Sequence, residues 1–89
     1  MHPQISLDAF IEDGRERVRC EISVSAPIPS PDEDFYCEVD APALRVVSKR
    51  VFGVDEAQAH ELAIKLLVAL LGNRRLVDKS GMAIDLSTL

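Results

Sequence analysis

The chain has 89 residues, with 15 Asp and Glu against 10 Lys and Arg, so its net charge is -5. This length allows one domain and no second one. Hydrophobic residues make up 47% and charged residues 28%, which is ordinary for a globular protein and too apolar for a disordered one. The acidic balance argues against binding to the phosphate backbone of nucleic acids, which requires clustered Lys and Arg.

The N-terminus and the cysteines indicate a cellular compartment. The first ten residues contain neither the basic segment nor the apolar run of a signal peptide. The longest apolar run, residues 66–71, is far shorter than the roughly 20 residues of a membrane span. Cys20 and Cys37 form no CxxC motif, and we predict two buried thiols, with one disulfide arithmetically open. We therefore expect a cytoplasmic protein that does not interact with a membrane.

The first elements in chain order are two strands. Residues 5–11 and 17–24 alternate between apolar and polar side chains, which is the period of a strand. The Asp-Gly pair at 13–14 predicts a two-residue turn between them, and hence a hairpin. In this register Asp8 lies opposite Arg19 on a polar face, while the other face is apolar.

Prolines at 27, 29 and 31 exclude a central strand, so the segment that follows the hairpin is predicted to be a loop. A third strand over residues 35–40 would turn Cys37 towards the core and Tyr36 outward. Residues 41–43 break it, and a fourth strand rich in β-branched residues follows over residues 44–52.

The period then changes to that of a helix over residues 56–71. Asp55 is a good N-cap, Gln58 completes a capping box, and Val54 is placed to contact Ala59. The predicted core stripe consists of Ala59, Leu62, Ala63, Leu66 and Leu70. Gly72 ends the helix, and arginines at 74 and 75 lie where the helix dipole favours cations.

The helix has a second apolar stripe, which must be buried against something other than the sheet. It consists of Ile64, Leu67, Val68 and Leu71. Two interpretations that do not exclude each other remain open. The tail can fold over the stripe through Leu76, Val77, Ile84 and Leu86, or the stripe can form a dimer surface with a second copy. Residues 83–86 are predicted to form a last strand.

These elements predict an α+β fold with a four- to five-stranded, mostly antiparallel sheet and one α-helix packed on one face, in the order β-β-β-β-α-β. One domain would span residues 1–89, with a hairpin at 5–25, an acidic loop at 26–34, strands over 35–52, the helix at 56–71 and a tail at 76–89.

The segment FYCEVDAP and the later segment FGVDEAQAHELAIKLLVALL resemble a family of small uncharacterised bacterial proteins, a domain of unknown function. The resemblance covers roughly residues 17–72, and the residues that carry it are Phe35, Cys37, Gly53, Val54, Asp55, Gln58 and Ala59. It implies a fold and no mechanism. Short acidic proteins of this kind are also similar, by analogy, to immunity proteins.

No catalytic, metal-binding or cofactor-binding residues are predicted. His60 has only helix-surface carboxylates nearby, which favours a solvated or interface histidine over a general base. The cysteines lack the local pairing of zinc ligands. Acidic neighbours of Cys37 would raise the pKa of its thiol and oppose reactivity. No phosphate-binding glycine motif or nucleophile elbow is present.

The charge is concentrated in one segment. Residues 31–40 contain five acidic and no basic residues, a charge of -5, whereas the other 79 residues contain 10 of each sign. We therefore predict a non-catalytic protein-binding module that meets a basic patch of a partner. The predicted contact residues are Asp32, Glu33, Asp34, Tyr36, Glu38 and Asp40.

Two other functions compete with this one. The outward sheet face could bind a small molecule or act as an enzyme, if Arg17, Arg19, Tyr36 and Glu38 are neighbours. Alternatively, the protein could be a structural homodimer with no further ligand.

Overall fold

The computed structural model describes residues 3–89. In chain order, its elements are β1 (Pro3–Asp13), β2 (Glu16–Ser25), β3 (Ile28–Pro29), β4 (Phe35–Ala41), a 3-10 helix (Pro42–Leu44), β5 (Val46–Gly53), α1 (Glu56–Leu71), β6 (Arg75–Val77) and a second 3-10 helix (Leu86–Thr88).

All strand pairs of the sheet are antiparallel, and the single α-helix packs on one face, so the predicted α+β fold is confirmed. β5 pairs with the whole of β4, whereas β2 and β3 pair with different halves of it. A strand has two edges, so β2 and β3 share one edge of β4. The sheet therefore runs from β5 through β4, β2 and β1 to β6, and α1 connects its two outer strands.

The first hairpin forms, but its predicted register is wrong by two residues. The turn residues are Gly14 and Arg15, and Asp13 pairs with Glu16. Gly14 has a φ of 64° at the first central position, where a type II′ turn favours glycine. Because a shift of two preserves the alternation, each side chain still lies on its predicted face.

The predicted last strand is also wrong. Strand β6 lies at residues 75–77 beside β1, and residues 83–86 contribute a single bridge from Ala83 to Val77. The amide of Ile84 also donates to the carbonyl of Leu76 (2.8 Å). The tail thus doubles back on β6, and Leu86 is buried beside the helix. The tail thus packs against part of the second helix stripe, while Val68 of that stripe remains 43% exposed.

The helix has its predicted bounds and caps, but a different face meets the core. The amide of Gln58 donates to the Asp55 carboxylate (2.7 Å), and the Gln58 side chain accepts from the amide of Val54. Val54 itself is 69% exposed, so the predicted contact with Ala59 does not form. The most buried helix residues are Ala59, Ala63, Ile64 and Leu67, whereas Leu62, Leu66 and Leu70 are half-buried.

A close approach of strand and helix explains this rotation. A Cβ on Gly53 would lie 2.4 Å from the backbone nitrogen of Ala59, so β5 and α1 meet there backbone to backbone. The small side chains of Ala59 and Ala63 lie on the helix face that makes this contact. Leu67, on the same face, is therefore buried in the core. At the other end, the guanidinium of Arg74 donates to the helix carbonyls of Leu70 (2.7 Å) and Leu71 (3.1 Å).

Within residues 3–89, the one α-helix is too short and insufficiently apolar to cross a membrane.

Candidate functional site

The acidic loop, defined here by Asp32, Glu33 and Asp34, is the connection between β3 and β4. Pro29 pairs with Phe35 directly beneath it. The amide of Ser30 donates to the carbonyl of Asp34 (2.7 Å), which closes the loop, and all three acidic side chains are exposed. The loop therefore presents its charges to solvent at one end of β4.

An aromatic patch, defined by Tyr36, Phe52 and Arg50, lies beside this loop on the outer face of the sheet. Tyr36 and Phe52 are opposite each other in the register of β4 and β5, with ring centroids 5.3 Å apart. The Arg50 guanidinium lies 5.0 Å from the centre of the Tyr36 ring, within the range of a cation–π contact. Phe52 is 48% exposed, so this patch combines an accessible apolar ring with a bound cation.

The two acidic residues of β4 make different contacts: Glu38 bonds through its backbone amide and Asp40 through its carboxylate. Glu38 is opposite Arg50 in the register, and its amide donates to the hydroxyl of Ser25 (2.8 Å). The carboxylate of Asp40 accepts from the amide of Ser48 (2.7 Å), a residue with a φ of 51°. Asp40 thus stabilises an irregular part of β5, and the acidic loop carries most of the charge left for a partner.

The four neighbours predicted for a small-molecule site do not come together. β2 pairs with β4 only near the C-terminal end of β2, where Ser23 pairs with Asp40. Arg19 lies further along β2, in ion pairs with Asp8 (3.0 Å) and Glu21 (2.8 Å). The Asp8–Arg19 pair expected from the sequence is therefore present, as a diagonal contact. Arg17 lies over the ring of Phe10, at 5.9 Å.

The predicted dimer surface is divided between the core and a groove. Leu67 is fully buried and cannot form part of a surface, and Leu71 is half-buried against the core. Ile64 and Val68 line a groove of about 490 Å³ between the helix and the tail. Its other lining residues are His60, Glu61, Lys65, Ala69, Ser87 and Leu89.

His60 lies at one end of this groove. Its Nε2 is 3.0 Å from the carbonyl oxygen of Leu89, while its buried Nδ1 has no hydrogen-bond partner. The histidine side chain thus connects the helix to the tail within the same chain. The nearby carboxylate of Glu61 is paired with Lys65 (3.1 Å).

The cysteines are buried free thiols in neighbouring strands, as predicted. Burial raises the pKa of both thiols, and Arg74 partly opposes this effect at Cys20. Desolvation is the cause at Cys37, rather than the acidic neighbours invoked from the sequence. No cluster of three or more His, Cys, Asp or Glu side chains suited to a metal ion occurs in residues 3–89.

From the sequence, Tyr36 is expected on the outer face, but its partners Phe52 and Arg50 are not. The fourth strand has apolar residues on both faces, with Val51 inside and Phe52 outside, so alternation alone does not orient it. The register with β4 supplies the missing information, because it sets Phe52 opposite Tyr36.

Comparison with family models, with curated proteins and with solved structures found no match to this chain. The resemblance to a bacterial family of unknown function therefore stays a prediction.

Proposed function

We propose that this protein is a non-catalytic binding module whose outer sheet face binds a basic segment of a partner protein. The observation that carries the proposal is the aromatic patch beside the acidic loop. Exposed aromatic rings are frequent anchors of protein interfaces, and complementary charge around them directs association.

The patch has the chemistry to accept a basic side chain. Arg50 already lies against the face of Tyr36 (5.0 Å), so the chain contains an internal example of the contact. The Phe52 ring, about half exposed, offers a second aromatic surface to an incoming Arg or Lys. The three carboxylates of the acidic loop would pair with further cations of the same segment. An immunity-type interaction would be one member of this class.

The test uses an array of synthetic peptides in which Lys and Arg flank one aromatic or aliphatic residue. We expect wild-type protein to retain peptides enriched in basic residues, with affinity that falls as salt concentration rises. The variant Asp32→Asn/Glu33→Gln/Asp34→Asn changes the net charge from -5 to -2 and should weaken this binding about tenfold or more.

The matched control removes the same three charges at the far end of the first hairpin, as Glu12→Gln/Asp13→Asn/Glu16→Gln. It should bind the peptides as wild type does. Equal weakening by both charge variants would show that only net charge matters, and would contradict the proposal. So would a set of retained peptides without basic enrichment.

A second pair of variants tests the aromatic anchor. Phe52→Ala removes the exposed ring and should weaken peptide binding about tenfold, or ~1.4 kcal/mol. Val47→Ala on the same strand is the control, since Val47 is 69% exposed and pairs with no partner ring. Unchanged affinity for Phe52→Ala would exclude the patch as the anchor.

A further inference from the structure

The edge of the sheet along β1 is unpaired over half of the strand. β1 pairs with β2 along its whole length, but with β6 only from Phe10 to Glu12. Within the described residues, no strand pairs with residues 3–9 on that edge. Edges of this length are templates for the addition of another strand.

The hairpin geometry shows which backbone groups face the open edge. Asp13 and Glu16 flank a two-residue turn and so form a hydrogen-bonded pair. Pairing alternates along the regular register from Ile5 to Asp13, so the odd-numbered residues of this stretch bond to β2 and the even-numbered residues face the other way. Phe10 and Glu12 accordingly reach β6, which leaves the N–H and C=O groups of Ser6 and Asp8 directed outward.

The opposite edge of the sheet is protected along its middle, whereas the register shift of β1 lies at its start, between Pro3 and Ile5. β5 has a register shift, a positive φ at Ser48 and the exposed cations Lys49 and Arg50, all of which discourage pairing. Residues 5–9 of β1 keep a regular register and carry one charge, Asp8, which Arg19 already neutralises.

We propose that two copies of this chain associate through the open β1 edges, as one antiparallel sheet with a two-fold axis at Ser6. This register pairs Ser6 with its symmetry mate and Gln4 with Asp8. On the inner face it places Ile5 opposite Leu7, and each of these side chains is only half-buried in the single chain. It uses the free stretch and stops before Phe10, where β6 begins.

Two neighbouring symmetric registers fit less well. An axis at Asp8 would oppose two carboxylates and run into β6, whereas an axis at Leu7 would leave Gln4 opposite the occupied Phe10. The second copy is therefore the occupant that the charges and the register favour. This inference is independent of the proposed partner site, because Phe52 and the acidic loop lie elsewhere on the sheet.

Sedimentation equilibrium over a range of concentrations tests the dimer. We expect the mean mass to rise from 9.8 kDa towards twice that value. Ser6→Lys places two ammonium groups at the axis and should raise the dissociation constant at least tenfold. Ser23→Lys is the matched control. Ser23 pairs with Ser6 from β2, which lies inside the sheet and not at its edge. Ser6→Pro, which removes an outward N–H, is a second variant if Ser6→Lys unfolds.

Cross-linking gives a reading of the register. Ser6→Cys should oxidise to a covalent dimer, because the Cα atoms of a hydrogen-bonded antiparallel pair lie about 5.5 Å apart, within disulfide range. Cys20 and Cys37 are fully buried and leave a low background, and Ser23→Cys should not cross-link. A monomer at all concentrations overturns the proposal. So does a dimer that resists Ser6→Lys and Ser6→Pro, or one that Val68→Lys in the helix groove dissociates instead.

Discussion

Gly53 is the residue on which the contact between sheet and helix depends. Its missing side chain lets β5 approach the first turn of α1, where an added Cβ would lie 2.4 Å from one backbone atom and 2.8 Å from two others. These neighbours are backbone atoms and cannot rotate away. We therefore expect Gly53→Ala to lower the free energy of unfolding by about 3 kcal/mol, at the upper end of the cost of overpacking.

Urea denaturation measures this loss. Val54→Ala at the next position is the control and should change the free energy of unfolding by less than about 0.5 kcal/mol, because Val54 is 69% exposed. Similar stabilities of the two variants would mean that strand and helix are not in backbone contact. From the sequence, Gly53 is an ordinary glycine before a helix, since the close approach exists only once the helix lies on the sheet.

The buried thiols of Cys20 and Cys37 predict a loss of stability at high pH. Burial raises the pKa of each thiol above its ordinary value of 9.0, because desolvation disfavours the thiolate. The unfolded chain then ionises first. The contribution of the thiols is complete below about pH 9 and is lost as the pH rises through the folded-state pKa.

We expect the free energy of unfolding to fall more steeply above pH 9 in the wild type than in Cys20→Ala/Cys37→Ala. The slopes are compared rather than the absolute stabilities, since the alanines also leave cavities. In the folded protein, a thiol reagent should react only as fast as the core opens. Rapid reaction at neutral pH would show that the thiols are accessible.

At the scale of the element, α1 could be read from the sequence because its signals are local. Asp55 and Gln58 cap its start, and Gly72 with Arg74 marks its end. The face of α1 that is buried, in contrast, depends on how the helix packs on the sheet and has no local signal in the sequence. Leucines at 62, 66 and 70 are larger than the alanines at 59 and 63, yet the alanines face the sheet because the Gly53 contact brings the two backbones together.

The tail after β6 is ordered by two carboxylates, and it should loosen in acid. Asp78 accepts from the amides of Ser80 and Met82 and from the Ser80 hydroxyl, and Asp85 accepts from the amide and hydroxyl of Ser87. These bonds, first of all those from the serine hydroxyls, lower the pKa of both carboxyls below 3.8. Their stabilising effect is therefore present above about pH 4 and is lost as the pH falls through the folded-state values.

Amide NMR spectra between pH 6 and pH 2 measure this loosening. The signals of Ser80 and Ser87 should move towards random-coil positions before the signals of the sheet do. Asp78→Ala should reproduce the change at Ser80 at neutral pH and leave Ser87 unaffected, because the two turns are separate. Simultaneous loss of sheet and tail signals would show that the tail has no local equilibrium of its own.

For the whole molecule, the alternation of apolar and polar residues predicted which face of the sheet a side chain lies on. It predicted less well which residues pair across neighbouring strands. The first hairpin shifted by two residues without moving a side chain to the other face, and the sheet remained antiparallel as expected. The pairing of Tyr36 with Phe52, and the separation of Arg19 from both, depend on the registers of β4 with β5 and of β2 with β4. These long-range registers have no local signal, so the acidic residues and Tyr36 could be placed from the sequence, whereas Phe52 and Arg50 beside Tyr36 could not.

The shape of the molecule predicts two levels of stability within one sheet. It measures 46 × 23 × 21 Å, and Val18 near the end of the first hairpin is 49% exposed although it lies on the inner face. The middle of β2 and β4, in contrast, contains the fully buried Cys20, Val24 and Val39. Amide hydrogen exchange, measured at a low protein concentration, should therefore be slowest near residues 20–24 and 37–39 and faster around residues 13–18, because the end of the hairpin can open alone. Low concentrations of urea should accelerate exchange in the centre and hardly affect exchange at the hairpin end. Equal protection of both regions would mean that the hairpin end opens only with the rest of the sheet.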